Sequence, residues 1–73
     1  MSGRPVKRSL TLKGHRTSVS LEDEFWRAFR EIAQARDIPI NALAAEIDVS
    51  RDPEIGLASA IRVYILKWYQ AEN

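Results

Sequence analysis

Arg16-Thr-Ser-Val-Ser-Leu21 runs directly into Glu22-Asp-Glu-Phe-Trp26, and the residue period changes between the two. The first run alternates, with Thr17, Val19 and Leu21 on one face and Arg16, Ser18 and Ser20 on the other, the period of a half-buried strand. From Leu21 the period lengthens. Leu21, Phe25, Phe29 and Ile32 recur at helical spacing, and Trp26, Ala28 and Ala33 widen the stripe. Glu22, Asp23 and Glu24 sit in the first turn, where the helix dipole favours acids, and Arg36 lies near the end. The spacing predicts a strand to Leu21 and a helix from about Glu22 to Arg36.

Upstream, Ser9 to Leu12 also alternates and is set off by Lys13-Gly14-His15, so both runs read as short strands. Residues 1–8 hold Gly3 and Pro5 among Arg4, Lys7 and Arg8 and read as a flexible basic arm ahead of a domain over residues 9–73. Downstream, Pro39 suits the first turn of a short second helix whose apolar face, Ile40, Leu43, Ala44 and Ile47, ends near Asp48. Asp52, Pro53 and Gly56 mark a break, although Asp52 as cap and Pro53 at the first position would also begin the next helix early. That last helix, from about Leu57 to Gln70, has Leu57, Ile61, Tyr64, Ile65 and Trp68 on one face and Val63, Leu66 and Tyr69 on the remainder.

A helix apolar nearly all round is buried on several sides, and a 73-residue chain has little other protein to cover it. A second copy is the simplest cover. The chain has no Cys and a single His, His15, so neither a disulfide framework nor a zinc site of ordinary ligands is expected, and no cofactor is implied. The apolar run Val63 to Leu66 is far short of the roughly 20 residues that span a bilayer, and the N-terminus lacks a signal-peptide core, which predicts a cytoplasmic protein with no membrane partner. Without a nucleophile beside His15 or a Gly-rich phosphate loop, no enzyme is expected.

The net charge of +1 conceals an asymmetry. The first sixteen residues carry five basic side chains and no acid, whereas residues 17–73 carry six basic against ten acidic residues, a body of −4. A basic segment on an acidic body suggests a polyanionic partner. A two-stranded ribbon fits the major groove of B-DNA, where side chains from one face reach base edges. Two copies pairing one strand each, antiparallel, would build such a ribbon with both sets of Arg16, Ser18 and Ser20 on its outer face.

The sequence resembles the ribbon-helix-helix family typified by the Arc repressor, on Arg16 to Leu21 followed by Glu22 to Trp26. It is similar also to a bacterial subfamily with Gly-His-Arg-Thr-Ser, Leu-Glu-x-x-Phe-Trp and Ser-Ala-Ile-Arg runs, matched here by Gly14–Ser18, Leu21–Trp26 and Ser59–Arg62. The resemblance covers roughly residues 8–69. It implies a mostly α fold with one short strand per chain, an intertwined homodimer with an intermolecular antiparallel β-ribbon, and here an extra short helix between the first and last. It implies base contacts from Arg16, Ser18 and Ser20, Arg16 being the most capable because a guanidinium engages guanine with two hydrogen bonds. Ser20 has a competing role, since Ser20 and Asp23 are spaced like a capping box. Lys7, Arg8 and Lys13 are expected at phosphates. The helix start that grips a phosphate in this family falls either on Ile38–Asn41 or on Leu57–Ser59, so Asn41 and Ser59 are both candidates.

The resemblance further implies a dimer core of Val19, Leu21, Phe25, Phe29, Ile61, Tyr64, Ile65 and Trp68. The aromatic residues, with Trp26 and Tyr69, read as core rather than as platforms for single-stranded bases. Arg62 either pairs with an acid at the dimer interface or faces solvent. The expected function is a homodimeric transcriptional regulator, a repressor, that binds specific double-stranded DNA. The alternatives are an antitoxin-like dimer that uses its acidic helical body to hold a partner protein, and a dimer that has lost DNA binding.

Overall fold

The alternating runs form two strands, β1 (Val6–Leu12) and β2 (His15–Leu21), and the periodic runs form α1 (Asp23–Ala35), α2 (Ile40–Ser50) and α3 (Leu57–Ala71), in a computed structural model that describes residues 3–71. The strands are antiparallel neighbours in a hairpin, with Val6 opposite Leu21, Ser9 opposite Ser18 and Leu12 opposite His15. Lys13 (φ 52°) and Gly14 (φ 83°) make the turn. Positive φ at both central residues is what a type I′ turn requires, and that turn's twist matches the twist of the strands.

Opposite residues in an antiparallel pair share a face, so the register sorts the hairpin into two surfaces. Leu10, Val19 and Leu21 point down and are buried, with Leu12 packed beside them. Beneath them lie Phe29, Ile32 and Ala33 of α1, Leu43, Ala44 and Ile47 of α2, and Ile61 and Ile65 of α3. Phe29, Leu21, Ile32, Leu43 and Ile61 are the largest side chains wholly out of solvent. Truncating one of the aliphatic members to Ala would cost about 2 to 5 kcal/mol, because transfer energy and a cavity both count.

Helix ends follow local chemistry. α1 stops in a Schellman motif: Ile38 N–H bonds Ala33 C=O and Asp37 N–H bonds Gln34 C=O, with Asp37 in the left-handed region at φ 58°. Pro39 caps α2 from outside, its carbonyl accepting from Ala42 and Leu43. Asp52 does not begin α3. Its carboxylate accepts from Glu54 N–H and its carbonyl from Ile55 N–H, closing a turn, and Gly56 C=O accepts the first bond of α3 from Ala60. Arg36 ties the three helices together, bonding both carboxylate oxygens of Glu46 and the hydroxyl of Tyr64 at 3.1 to 3.2 Å.

The chain carries two strands rather than one, and they pair with each other. Alternation states which face a strand buries, not which strand lies beside it, and the short Lys13-Gly14 link makes the neighbour in the chain the nearest partner. The basic arm is correspondingly shorter than residues 1–8, since Val6 to Arg8 belong to β1; Met1 and Ser2 lie outside the described residues, as do residues 72–73. The residues expected to form a dimer core are the core of the single chain: Val19, Leu21, Phe29, Ile61 and Ile65 are buried, and Phe25, Tyr64 and Trp68 pack against them. The hairpin lid over three helices closes that core without a second copy.

Candidate nucleic-acid interface

The register that buries Leu10, Val19 and Leu21 puts Lys7 with Ser20, Ser9 with Ser18 and Thr11 with Arg16 on the opposite face. All six are exposed, and none is apolar. The surface is a two-stranded ribbon about 4.8 Å between strands, with a cation at each end of a hydroxyl lattice. Arg16, Ser18 and Ser20 therefore share one face, as expected. Ser9 and Thr11 join them, and the pairing of two alternating runs across a two-residue turn is the signal that identifies them.

Ser20 is not a cap. Glu22 occupies the N-cap position of α1 with no side-chain cap bond, which leaves the Ser20 hydroxyl on the strand face. Instead its carbonyl accepts from Arg62 Nη2 (3.1 Å). Arg62 also donates to Glu22 Oε1 through Nε (3.0 Å) and Nη2 (2.8 Å) and lies over Phe25, 5.6 Å from the ring centre. It pairs with an acid of its own chain and locks α3 to the junction of β2 and α1. The bonded guanidinium holds the Glu22 carboxyl below its ordinary value.

Arg8 departs from expectation. It shares the inward face with Val19, donates to Asp23 Oδ1 (3.2 Å) and stacks 5.2 Å from the Trp26 ring centre. Its Nε is buried and unpaired. Strand alternation separates it from Lys7, so the two cannot face one phosphate together. Lys7 stays on the outer face, and Lys13 stands exposed at the hairpin tip.

The two helix starts also separate. Asn41 Oδ1 accepts the Thr11 N–H (3.1 Å), so the start of α2 is fastened to the edge of β1. Ser59 is exposed in the first turn of α3, and Leu57 beside it lines a cavity of about 340 Å³ together with Lys13, His15 and Thr17. Among the described residues no cluster of His, Cys, Asp or Glu could hold a metal ion, and no helix is long and apolar enough to cross a membrane.

A model of the ribbon-helix-helix domain matches residues 5–69. The chain belongs to that family, whose members are in general DNA-binding transcription regulators that dimerise. The match begins one residue before β1, in agreement with a fold that includes the whole hairpin. No curated protein and no solved structure matches the chain.

Proposed function

We propose that this protein is a homodimeric repressor that binds specific double-stranded DNA with its ribbon in the major groove. The observation that carries the reading is the outer hairpin face, six exposed polar residues and no apolar one, on a lid whose other face is core. A surface built for water alone does not need Arg16 and Lys7 flanking four hydroxyls on a rigid, twisted two-stranded support. Arg16 reads guanine through O6 and N7, Ser18 and Ser20 discriminate less, and Lys7 and Lys13 neutralise phosphates. Ser59 at the start of α3 is the better of the two helix-start candidates, because Asn41 is already engaged with the Thr11 backbone.

The test is Arg16→Ala on a selected operator. Binding should weaken by about 1 to 3 kcal/mol with relaxed preference at one base pair per half-site. Unchanged base preference in that variant would remove Arg16 from the reading face and the assignment with it.

A further inference from the structure

We infer that the groove between α2 and α3 binds a small organic acid whose apolar body lies on the helices and whose carboxylate meets Lys67. This site belongs to the helical body and depends neither on the ribbon nor on DNA.

Residues 51–56 turn the chain back, so that Glu46 to Arg51 face Ala60 to Lys67 across a cavity of about 500 Å³. Small-molecule sites occupy roughly 300 to 1,000 Å³. The apolar lining is Ile47, Ile55, Ala60 and Val63. Ile47 is buried, whereas Ile55 is 46% and Val63 49% exposed. Ile55 is exposed yet fixed: its N–H donates to Asp52 C=O (2.9 Å) and its C=O accepts from Arg51 Nη1 (2.7 Å). Arg51 is in turn held by Asp48 at 2.7 Å. An apolar side chain that adds nothing to the core, on a loop fastened through both of its backbone groups, is a wall prepared for a ligand.

Charge selects the occupant. On the rim, Glu46 is paired with Arg36, and Arg51 with Asp48. Among the described residues, no ion pair or hydrogen bond engages the Lys67 side chain. Tyr64 lies one turn before Lys67 on the same wall, and its hydroxyl accepts from Arg36 Nη1 (3.1 Å), which leaves the O–H proton to donate. That end of the groove therefore offers a hydroxyl donor beside an ammonium without a counter-ion, the pair of groups a carboxylate needs. Asp52 lines the opposite end and repels an anion from it. Its carboxylate already accepts Glu54 N–H (2.9 Å), so a reversed ligand with a cationic head finds an acid that serves its own turn.

Size points the same way. Ala60 to Lys67 covers about 10 Å of helix, the length of a medium-chain acid. A protein partner needs roughly 800 Å² on each side, and a groove framed by Glu46, Arg51, Asp52 and Lys67 does not widen to that extent.

The test is a titration of the isotope-labelled full chain with sodium octanoate, with octanol and octylammonium as the neutral and cationic analogues, read from the amide resonances. The expected result is saturable shifts at Ile47, Ile55, Ala60, Val63 and Lys67, with octanoate bound about three- to tenfold tighter than either analogue. Lys67 is exposed, so Lys67→Met keeps the fold. That variant should bind octanol unchanged and lose the preference for octanoate, and Lys67→Arg should restore it. No saturable shift, or shifts confined to Leu66 and Trp68, would overturn the site. Equal binding of octanoate and octanol, or a Lys67→Met protein that keeps the preference, would overturn the choice of an acid, and tighter octylammonium would give the groove to a cation. Shifts of the same amides on concentrating the protein alone would give it to a second copy and overturn the proposal.

Discussion

At the level of single residues, Arg8 turns to the inward face whereas Lys13 stays exposed at the hairpin tip. Arg8 looks like a phosphate ligand because it sits in a basic segment, yet its guanidinium serves Asp23 and Trp26. Asp23 also holds Arg27 at 3.1 Å, so Arg8→Met leaves the acid paired, and replacing a partly buried ion pair by an apolar side chain is often neutral. The expected result is a slope of log K against log salt that is unchanged within about 0.5, whereas a loss near 0.9 per chain would show that Arg8 meets a phosphate. Lys13 is the reverse case: its positive φ is a conformation that Asn or Gly adopts with less strain, and the structure gives it no role in the core. Lys13→Asn should stabilise the fold by about 0.5 to 1 kcal/mol in denaturant titration and weaken DNA binding at moderate salt. Glu22 has a depressed folded-state value, so its pair with Arg62 stabilises the fold above the ordinary value of 4.5 and is lost as pH falls below it. Glu22→Gln should therefore flatten the fall in melting temperature on acidification below about pH 4.5 relative to the unaltered protein.

At the level of elements, the helices were legible and the strand pairing was not. Leu21, Phe25, Phe29 and Ile32 specify α1, and its caps fall on Glu22 and Arg36, the residues that bound the expected helix. α2 runs to Ser50 rather than stopping near Asp48, because Val49 and Ser50 continue the turn although Val49 lies outside the apolar stripe and is exposed. Strand register was hidden by two residues of the wrong chemical type for their places. Lys13 is not a turn former, and Arg8 occupies an inward position where an apolar residue would have extended the visible alternation to Val6. The outer hairpin face was thus half legible: Arg16, Ser18 and Ser20 follow from alternation alone, while Ser9 and Thr11 require the pairing. The hairpin carries buried Leu10, Val19 and Leu21, so it is a structural lid as well as a candidate reading surface. Gly14→Ala would force a Cβ onto φ 83° and should cost about 1 to 2 kcal/mol in thermal or denaturant unfolding.

For the whole molecule, the core closes within one chain, yet Val63, Leu66 and Tyr69 remain outside it on α3. On the proposed homodimer reading, with exposed Leu66 covered by the second copy, Leu66→Lys should leave the monomer fold intact and raise the dimer dissociation constant by about tenfold or more, since covering a Leu is worth roughly 1.5 to 3 kcal/mol. Sedimentation of the variant against the unaltered protein measures it. The basic face and the acidic body together give the molecule a polarity that presents the ribbon to a polyanion. The most direct test of that orientation is selection of tight binders from random-sequence duplex DNA by the purified full chain, repeated at two salt concentrations. A paired, two-fold-related motif whose enrichment falls steeply as salt rises is the result expected of a dimeric, ribbon-reading regulator. No binding even at low salt would contradict it and leave the outer face of the hairpin without a nucleic-acid role.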